Sequence, residues 1–158
     1  MKTSPLLRLA LSALVLSLLT SCGSEFRSAW KKAGTTQGVE GRWEGTWLSA
    51  ANGHHGTLRC VVGEPDCYQC ISGPVPKGAK PMQFFYRATW KSILSGSYKA
   101  VHHVQPKKDG SYVFKGDHKM PDWAGGMYHY EGTIKGDEFK ACYECEIDRG
   151  TFTMKRVR

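Results

Sequence analysis

The strongest constraint on the fold of this chain is an alternation of apolar and polar residues at every second position, which persists through residues 39–158. Phe84 and Tyr86 lie on one parity of a typical stretch, whereas Arg87 and Lys91 lie on the other. Successive side chains of a β-strand point to opposite faces of the sheet, so the pattern predicts strands with one buried face and one solvated face. It indicates no helix of useful length in this part of the chain.

Turn signals cut the pattern into short segments, and Asn52-Gly53 and Asp109-Gly110 are typical of two-residue hairpin loops. The segments predict eight strands, over residues 42–48, 56–62, 82–91, 97–104, 111–117, 127–134, 138–146 and 151–157. Strands of this length, joined mainly by tight turns, are typical of an antiparallel up-and-down barrel or a highly curved sandwich. The expected fold class is therefore all-β. A closed barrel of about eight strands has room inside for side chains or for one small ligand.

The first residues have a different composition. Lys2 and Arg8 lie at the start of an apolar stretch that runs from Leu6 to Leu19 and is followed by Thr20-Ser21-Cys22. A short apolar run behind basic residues predicts a secretory signal peptide over residues 1–21, too short to cross a bilayer comfortably. The tetrapeptide Leu19-Thr20-Ser21-Cys22 resembles the lipobox of bacterial lipoproteins, in which the chain is cut before a cysteine whose thiol has been diacylglycerylated. The resemblance implies a lipid-anchored amino terminus at Cys22, and several acyl chains on one residue give stable anchoring.

The residues after the cysteine predict a location and a domain boundary. Gly23 favours the outer membrane of a bacterial cell envelope over the inner membrane, by the sorting rule of such lipoproteins. Residues 22–38 are small, polar and charged, which predicts a lipidated amino terminus and a flexible tether. Phe26 and Trp30 favour only a short helical turn there. The barrel domain is expected to cover residues 39–158.

The chain is basic, with 22 Lys and Arg residues against 14 Asp and Glu residues and a formal net charge of +8. The basic residues are spread between apolar positions, which is typical of solvated strand faces. An acidic envelope polymer or an envelope protein is a possible partner for such a surface, with Lys99 and Lys140 among the exposed bases. Nucleic acid is not expected as a partner of an anchored protein outside the cytoplasm.

The cysteines of the domain favour disulfides in an oxidising compartment. Cys145 shares the expected inner face with Cys60, so these two are candidates to pair through the core. Cys142 is expected to face outward, where Cys67 or Cys70 in the long loop after the second strand could pair with it. One of the five thiols would then stay free or pair between molecules.

Zinc is the alternative reading of the same residues. The two C-x-x-C motifs, Cys67 with Cys70 and Cys142 with Cys145, have the spacing of a four-cysteine zinc site. Cys60 would then be a core residue. Export favours oxidation over zinc binding, and residues three apart on a straight strand point to opposite faces. No zinc or other cofactor is required by the leading interpretation.

The predicted inner face is rich in aromatic residues, which would either fill the barrel or line an apolar pocket with a few polar groups. His102 and His129 are both placed on that face, so they could meet inside the barrel. The candidate ligand-binding residues are Trp47, Tyr86, Trp90, Tyr98, His102, His129 and Tyr143. The chain has no nucleophile elbow, phosphate-binding glycine loop or H-E-x-x-H motif, so no catalytic residue is named and an enzyme is not expected.

Two short motifs add a resemblance to known barrels. Gly41-Arg42-Trp43 resembles the Gly-x-Trp signature of lipocalins, and Gly45-Thr46-Trp47 resembles the corresponding segment of avidins; both families belong to the calycin group of eight-stranded barrels. The resemblance implies that Arg156, or else Arg158 or Lys155, packs across Trp43 and closes the base of the barrel. The segments GRWEGTW, NGHHGTLRC, YHYEGTIKG and DRGTFTMKR also resemble an uncharacterised family of bacterial extracytoplasmic proteins.

The leading hypothesis is a lipid-anchored, non-enzymatic envelope protein that binds a small apolar or amphipathic molecule in a calycin-like barrel. The alternatives are a lipoprotein that docks through its basic surface on an acidic envelope component, and a domain stapled by zinc at four cysteines.

Overall fold

The computed structural model describes residues 23–34, 37–69, 71, 73–91 and 94–158. Its strands form one closed antiparallel barrel in which each strand pairs with its neighbours in sequence. The strands are β1 Gly41–Ser49, β2 His55–Gly63, β3 Lys80–Trp90, β4 Leu94–Pro106, β5 Tyr112–Lys119, β6 Met127–Lys135, β7 Glu138–Glu144 and β8 Arg149–Arg156. The all-β, eight-stranded up-and-down prediction is confirmed, and the closed barrel replaces the alternative of a sandwich.

The barrel closes where β1 pairs with β8, with Gly45 opposite Met154 and Thr46 opposite Thr153. A β-carbon on Gly45 would lie 2.0 Å from the carbonyl oxygen of Thr153, so glycine is required for this close approach. Closure gives every strand a paired neighbour on each side, although β4 and β5 pair only from His103 opposite Lys115 to Pro106 opposite Tyr112. The paired strands and the core cluster lie within residues 39–156, so a chain that begins at residue 23 contains every contact of the described barrel.

One end of the barrel, here called the closed end, is plugged by side chains. Trp43 near the start of β1 is 0% exposed and donates its indole N–H to the carbonyl of Val39, at 3.0 Å. The Arg156 guanidinium lies 4.2 Å from the centroid of the Trp43 ring and donates to the carbonyls of Glu40, at 2.7 Å, and Gly38. The packing that the lipocalin resemblance implied for Arg156 is therefore present.

The opposite end, called the open end, is formed by the end of β1, the start of β8 and the segments that join strands there. Three of these segments are fully described, over residues 50–54, 120–126 and 145–148. A three-residue 3-10 helix, Asp122–Ala124, is the one helical segment among the described residues that follow β1.

A helix, α1, covers residues 23–32 and packs on the outer wall of the barrel. Phe26 is 2% exposed and meets Phe85 of β3 edge to face, with ring centroids 5.1 Å apart. Trp30, one helical turn later, lies under the Arg59 guanidinium at 5.2 Å. The segment expected to be a tether with a short helical turn thus contains a docked helix of several turns, because the outward-facing Phe85 gives Phe26 an apolar partner. Cys22 and the predicted signal peptide lie outside the described residues. No helix in the described part of the chain is both long and apolar enough to cross a membrane.

Candidate functional site

The open end of the barrel contains a cavity of ≈ 450 Å³. Ligand pockets of small molecules commonly fall in the range of about 300–1,000 Å³, so the cavity has the size of a small-molecule site. Its aromatic lining consists of Trp47, Trp90, Tyr98, Trp123, Tyr128, Tyr130, Tyr143 and Phe152. Other hollows of similar volume on the outer wall, such as one of ≈ 480 Å³ beside Lys115 and Glu131, are lined largely by exposed polar and charged residues.

Two tryptophans form one wall of the cavity. Trp47 of β1 donates its indole N–H to the carbonyl of Thr89, at 3.1 Å, which fixes the ring across to β3. Trp90 at the end of β3 meets Trp47 edge to face, with ring centroids 5.6 Å apart. Trp47 is 7% exposed and Trp90 is 42% exposed, so the wall runs from the buried interior to solvent.

The floor of the cavity is a layer of tyrosines above a buried histidine. Tyr130 donates its hydroxyl to the hydroxyl of Tyr98, at 3.2 Å, and its ring stacks on Tyr86 with centroids 6.2 Å apart. Tyr86 and His102 are both 0% exposed, and the Tyr86 hydroxyl lies 3.3 Å from Nε2 of His102. Below them Phe84 packs on His102 with ring centroids 4.6 Å apart, so the interior towards the closed end is filled.

Burial sets the protonation of this floor. Desolvation lowers the pKa of His102 to about 3, and it raises the pKa values of Tyr86 and Tyr98 well above their ordinary value. His102 is therefore neutral at physiological pH, and its Nδ1 has no hydrogen-bond partner among the described residues. These groups supply neutral hydrogen-bonding atoms rather than charge.

One corner of the cavity carries a carboxylate. Asp148 Oδ1 accepts hydrogen bonds from Ser49 Oγ, at 2.5 Å, and from the backbone N–H of Arg149, at 2.7 Å. Its Oδ2 accepts from the Tyr143 hydroxyl, at 3.1 Å. Desolvation raises the pKa of Tyr143 above its ordinary range, and the Asp148 charge adds to this effect. None of the ion pairs found among the described residues includes Asp148.

The lining of the cavity differs in charge from the whole chain. No Lys or Arg is among the described residues that line it, and Asp148 is their one carboxylate, although the chain has a net charge of +8. Asn52, His54 and Ser97 supply further polar groups. The site therefore combines aromatic faces with a single negatively charged corner.

The segment over residues 120–126 covers part of the mouth. Tyr128 donates its hydroxyl to the carbonyl of Ala124, at 3.0 Å. Gly125 has φ of 108°, and a β-carbon there would lie 2.8 Å from the sulfur of Cys145. This close packing on Cys145 requires glycine, so the covering segment is held in place by contacts with β6 and with the end of β7.

The structure places six of the seven sequence-predicted ligand residues at two different depths. Trp47, Trp90, Tyr98 and Tyr143 line the cavity, whereas Tyr86 and His102 lie beneath it in the filled interior. A ligand-binding role for these six residues stays a prediction.

His102 and His129 do not meet inside the barrel, because His129 was assigned to the wrong face of β6. His129 faces outward and its Nδ1 lies 2.7 Å from Asp117 Oδ1. The inner parity of β6 is that of Tyr130 and Ile134, both buried. The apolar character of Met127 suggested the opposite parity, but Met127 lies exposed at the mouth.

Several lining residues were not identified from the sequence. Tyr128 and Tyr130 share the parity of Ile134, and Phe152 shares the parity of Met154, so alternation read from the middle of each strand could have found them. Asp148 lies in a predicted turn, and only contacts with distant residues orient it towards the cavity.

The predicted disulfides of Cys60, Cys142 and Cys145 are wrong, because all three are free thiols. Cys60 lies between Trp43 and Tyr86 in the pairing of β2, towards the closed end, whereas Cys145 lies beyond β7 at the open end. Cys142 does face outward as expected. It is on β7, far around the barrel from the loop between β2 and β3 that carries Cys67.

The remaining cysteine predictions involve Cys67 and Cys70. Cys67 is not among the free thiols, and Cys70 lies outside the described residues. No group of three or more His, Cys, Asp or Glu side chains in the described part of the chain is arranged to hold a metal ion. The four-cysteine zinc site stays a prediction because it requires Cys70.

The basic outer surface is largely neutralised at the two positions considered for docking. Lys99 pairs with Asp66, at 2.6 Å, and with Glu25 of α1. Lys140 pairs with Glu138, at 3.4 Å. Docking on an acidic envelope component stays a prediction, and these contacts do not favour it.

Comparison with known proteins finds no relative of this chain: no family model, curated protein or solved structure matches it.

Proposed function

We propose that this protein binds a small amphipathic molecule in the cavity at the open end of the barrel, and that a lipid on Cys22 holds it at the bacterial cell envelope. The observation that carries the ligand-binding proposal is the cavity of ≈ 450 Å³, with its aromatic lining and single carboxylate. A concave, mostly apolar site with a few convergent polar groups is the usual form of a small-molecule site.

The lining favours a ligand with an apolar body and a positively charged or hydrogen-bond-donating head. Aromatic faces attract cations because of their quadrupole, and Asp148 offers its negative charge and the remaining acceptor site of Oδ2 to a donor. An anionic head would meet Asp148 without any Lys or Arg among the described lining residues to compensate for it. The ligand class proposed is therefore an organic amine or quaternary ammonium compound with an apolar group.

The envelope location is supported by the sequence of the leader. The apolar run and the tetrapeptide ending in Cys22 have the form of a lipoprotein signal. Growth of cells that express the full chain with a labelled fatty acid should label the protein, and Cys22→Ser should abolish the label. Label that persists in the Cys22→Ser variant would contradict anchoring at this residue.

Ligand binding is tested with three probes of similar apolar body: benzyltrimethylammonium, its uncharged carbon isostere neopentylbenzene, and the anion phenylacetate. They are titrated into the chain of residues 23–158 while tryptophan fluorescence is recorded, because Trp47, Trp90 and Trp123 line the cavity. We expect saturable binding of the cation, about tenfold or more tighter than its isostere, as a desolvated cation–π site and one carboxylate provide.

The matched variants separate the carboxylate in the cavity from one beside it. Asp148→Asn should remove most of the preference for the cation and retain binding of the isostere. Asp122→Asn changes an exposed carboxylate on the neighbouring covering segment, which pairs with Lys119 at 3.1 Å, and should leave the preference intact. The absence of saturable binding for all three probes would overturn the ligand-binding proposal.

A further inference from the structure

The large apolar side chains that remain exposed are concentrated at the open end of the barrel. Six of the eight that the described residues contain lie there, and they are called the apolar rim: Leu48, Trp90, Leu94, Trp123, Met127 and Ile147. Trp123 is 86% exposed, Leu94 is 66% exposed and Ile147 is 63% exposed. The other two, Tyr68 and Val75, lie in the loop between β2 and β3 near the closed end.

The members of the apolar rim are distributed around the mouth of the cavity rather than along one wall. Trp90 is the last residue of β3 and Leu94 is the first of β4. Trp123 lies between β5 and β6, and Ile147 lies between β7 and β8, on the other side of the barrel. Exposed apolar residues are ordinary when scattered over a surface, but six of them gathered around one opening indicate a surface that contacts another apolar phase.

The attachment point of the preceding chain lies on the open-end half of the barrel wall. The carbonyl of Gly23 accepts a hydrogen bond from Arg87, at 3.4 Å. Arg87 is three residues before the end of β3, which corresponds to roughly 10 Å along the strand. Phe26, buried against Phe85, holds α1 to the wall.

This attachment leaves little freedom between an anchor and the barrel. Cys22 is bonded to Gly23, so their Cα atoms are about 3.8 Å apart. A lipid on Cys22 would therefore bring a bilayer close to the barrel wall, within reach of the open end. A free tether of the length expected from residues 22–38 would have placed no such restriction on orientation.

From the apolar rim and this attachment point we infer that the open end of the barrel docks on a lipid bilayer, with the rim inserted among the headgroups and upper acyl chains. The mouth of the cavity then faces the membrane, and an amphipathic ligand enters and leaves through the lipid rather than through water. The ligand route and the argument from a lipid on Cys22 rest on the proposed function, whereas the argument from the apolar rim does not.

The charges beside the rim determine which lipids it requires. Lys119 is paired with Asp122, and Glu146 stands next to Ile147, so acids accompany the bases at this end. Apolar contact and the two rim tryptophans, Trp90 and Trp123, therefore provide the affinity, as tryptophan does at membrane interfaces. Binding should not require anionic lipid and should persist at high salt, unlike docking through a basic surface.

The test uses the chain of residues 23–158, which lacks Cys22, so that no attached lipid contributes. Vesicles of phosphatidylcholine alone and of phosphatidylcholine with phosphatidylglycerol are mixed with it, and binding is measured by flotation. Brominated phosphatidylcholine should quench tryptophan fluorescence on binding, because Trp90 and Trp123 would enter the bilayer. We expect binding to both vesicle types, with quenching.

The decisive variant replaces three rim residues, Leu94→Ser, Trp123→Ser and Ile147→Ser, and should weaken vesicle binding by roughly tenfold or more. Its matched control, Tyr68→Ser with Val75→Ser, removes exposed apolar residues at the other end and should bind as the unmodified chain does. All five positions are exposed, so circular dichroism should show the same strand content in every variant.

Three results would overturn the inference. They are vesicle binding that the rim variant retains, binding only to anionic vesicles, and a self-associated species in sedimentation that the rim variant abolishes without any vesicle binding. Titration of benzyltrimethylammonium without vesicles is run on the same preparation. If that ligand binds and vesicles do not, the rim inference fails alone; if vesicles bind and no probe does, the ligand proposal fails alone.

Discussion

At the closed end of the barrel Trp43 is 0% exposed and donates its indole N–H to a backbone carbonyl, whereas at the open end Trp123 is 86% exposed. Arg156 also belongs to the closed end, where its guanidinium covers Trp43 and donates hydrogen bonds to two backbone carbonyls. No comparable plug covers the aromatic residues of the cavity within the described part of the open end. One barrel thus uses the same residue types as core at one end and as an accessible surface at the other.

The difference shows how a small barrel can combine stability with a site. Burial of apolar area and satisfied hydrogen bonds at the closed end hold the strands together. The open end retains exposed apolar area that contributes little to folding and is available to a ligand or a membrane. Variants at matched positions of the two ends should therefore separate stability from binding.

The largest contrast is expected between the two tryptophans. Trp43→Ala should lower the free energy of unfolding by about 3–5 kcal/mol, because it leaves a cavity in the filled interior and removes a hydrogen bond. Trp123→Ala should change it by no more than about 0.5 kcal/mol. Urea unfolding followed by circular dichroism measures both, and equal losses for the two variants would break the comparison between the ends.

The fold was predictable because alternation and turns act locally. Each strand has one face towards the interior, so a period of two identifies both the strand and its buried parity. The parity of β6 was nevertheless wrong at His129, since apolar residues at a mouth need not be buried. The cavity itself was not predictable. The volume that remains unfilled beside Trp47 and Tyr98 depends on the position along the barrel axis and the orientation of every aromatic ring around them.

A second contrast concerns two arginines near the end of the chain. Arg156→Ala should cost about 2–3 kcal/mol, because it leaves the carbonyls of Gly38 and Glu40 without their charged donor and uncovers Trp43. Arg158→Ala removes an ion pair with Asp137, which Arg156 also contacts, at 3.3 Å. The Arg158 side chain is 77% exposed, so the loss should stay below about 0.5 kcal/mol.

Arg156→Lys sharpens this contrast. Lysine keeps the positive charge but cannot stack on the indole and reach two carbonyls at once, so most of the loss should remain. Full recovery of the unfolding free energy with lysine would show that charge alone closes the base of the barrel.

The cysteines and the helix show where local sequence reasoning stops. The alternation of side chains correctly predicted that Cys60 lies on the inner face. A disulfide also requires that both cysteines lie at the same level along the barrel axis, and that level depends on the registers of all intervening strands. The spacing of Phe26 and Trp30 indicated a helical turn. The full helix depends on Phe85, an apolar residue on the outer face of β3, which is far away in sequence.

The last prediction concerns His102 and tests whether water from the cavity reaches this buried side chain. Desolvation lowers the pKa of His102 to about 3 in the folded protein, whereas an unfolded histidine has a pKa of about 6.5. Below pH 6.5 the unfolded chain binds a proton that the folded chain does not. As the pH is lowered from 6.5 towards 3, the free energy of unfolding therefore decreases by about 1.4 kcal/mol per pH unit because of this residue. His102→Gln should remove that part of the dependence, and urea unfolding at pH 7 and pH 5.5 measures it. Parallel losses in the two proteins would mean that water from the cavity reaches His102 and that the filled interior ends deeper than Tyr86.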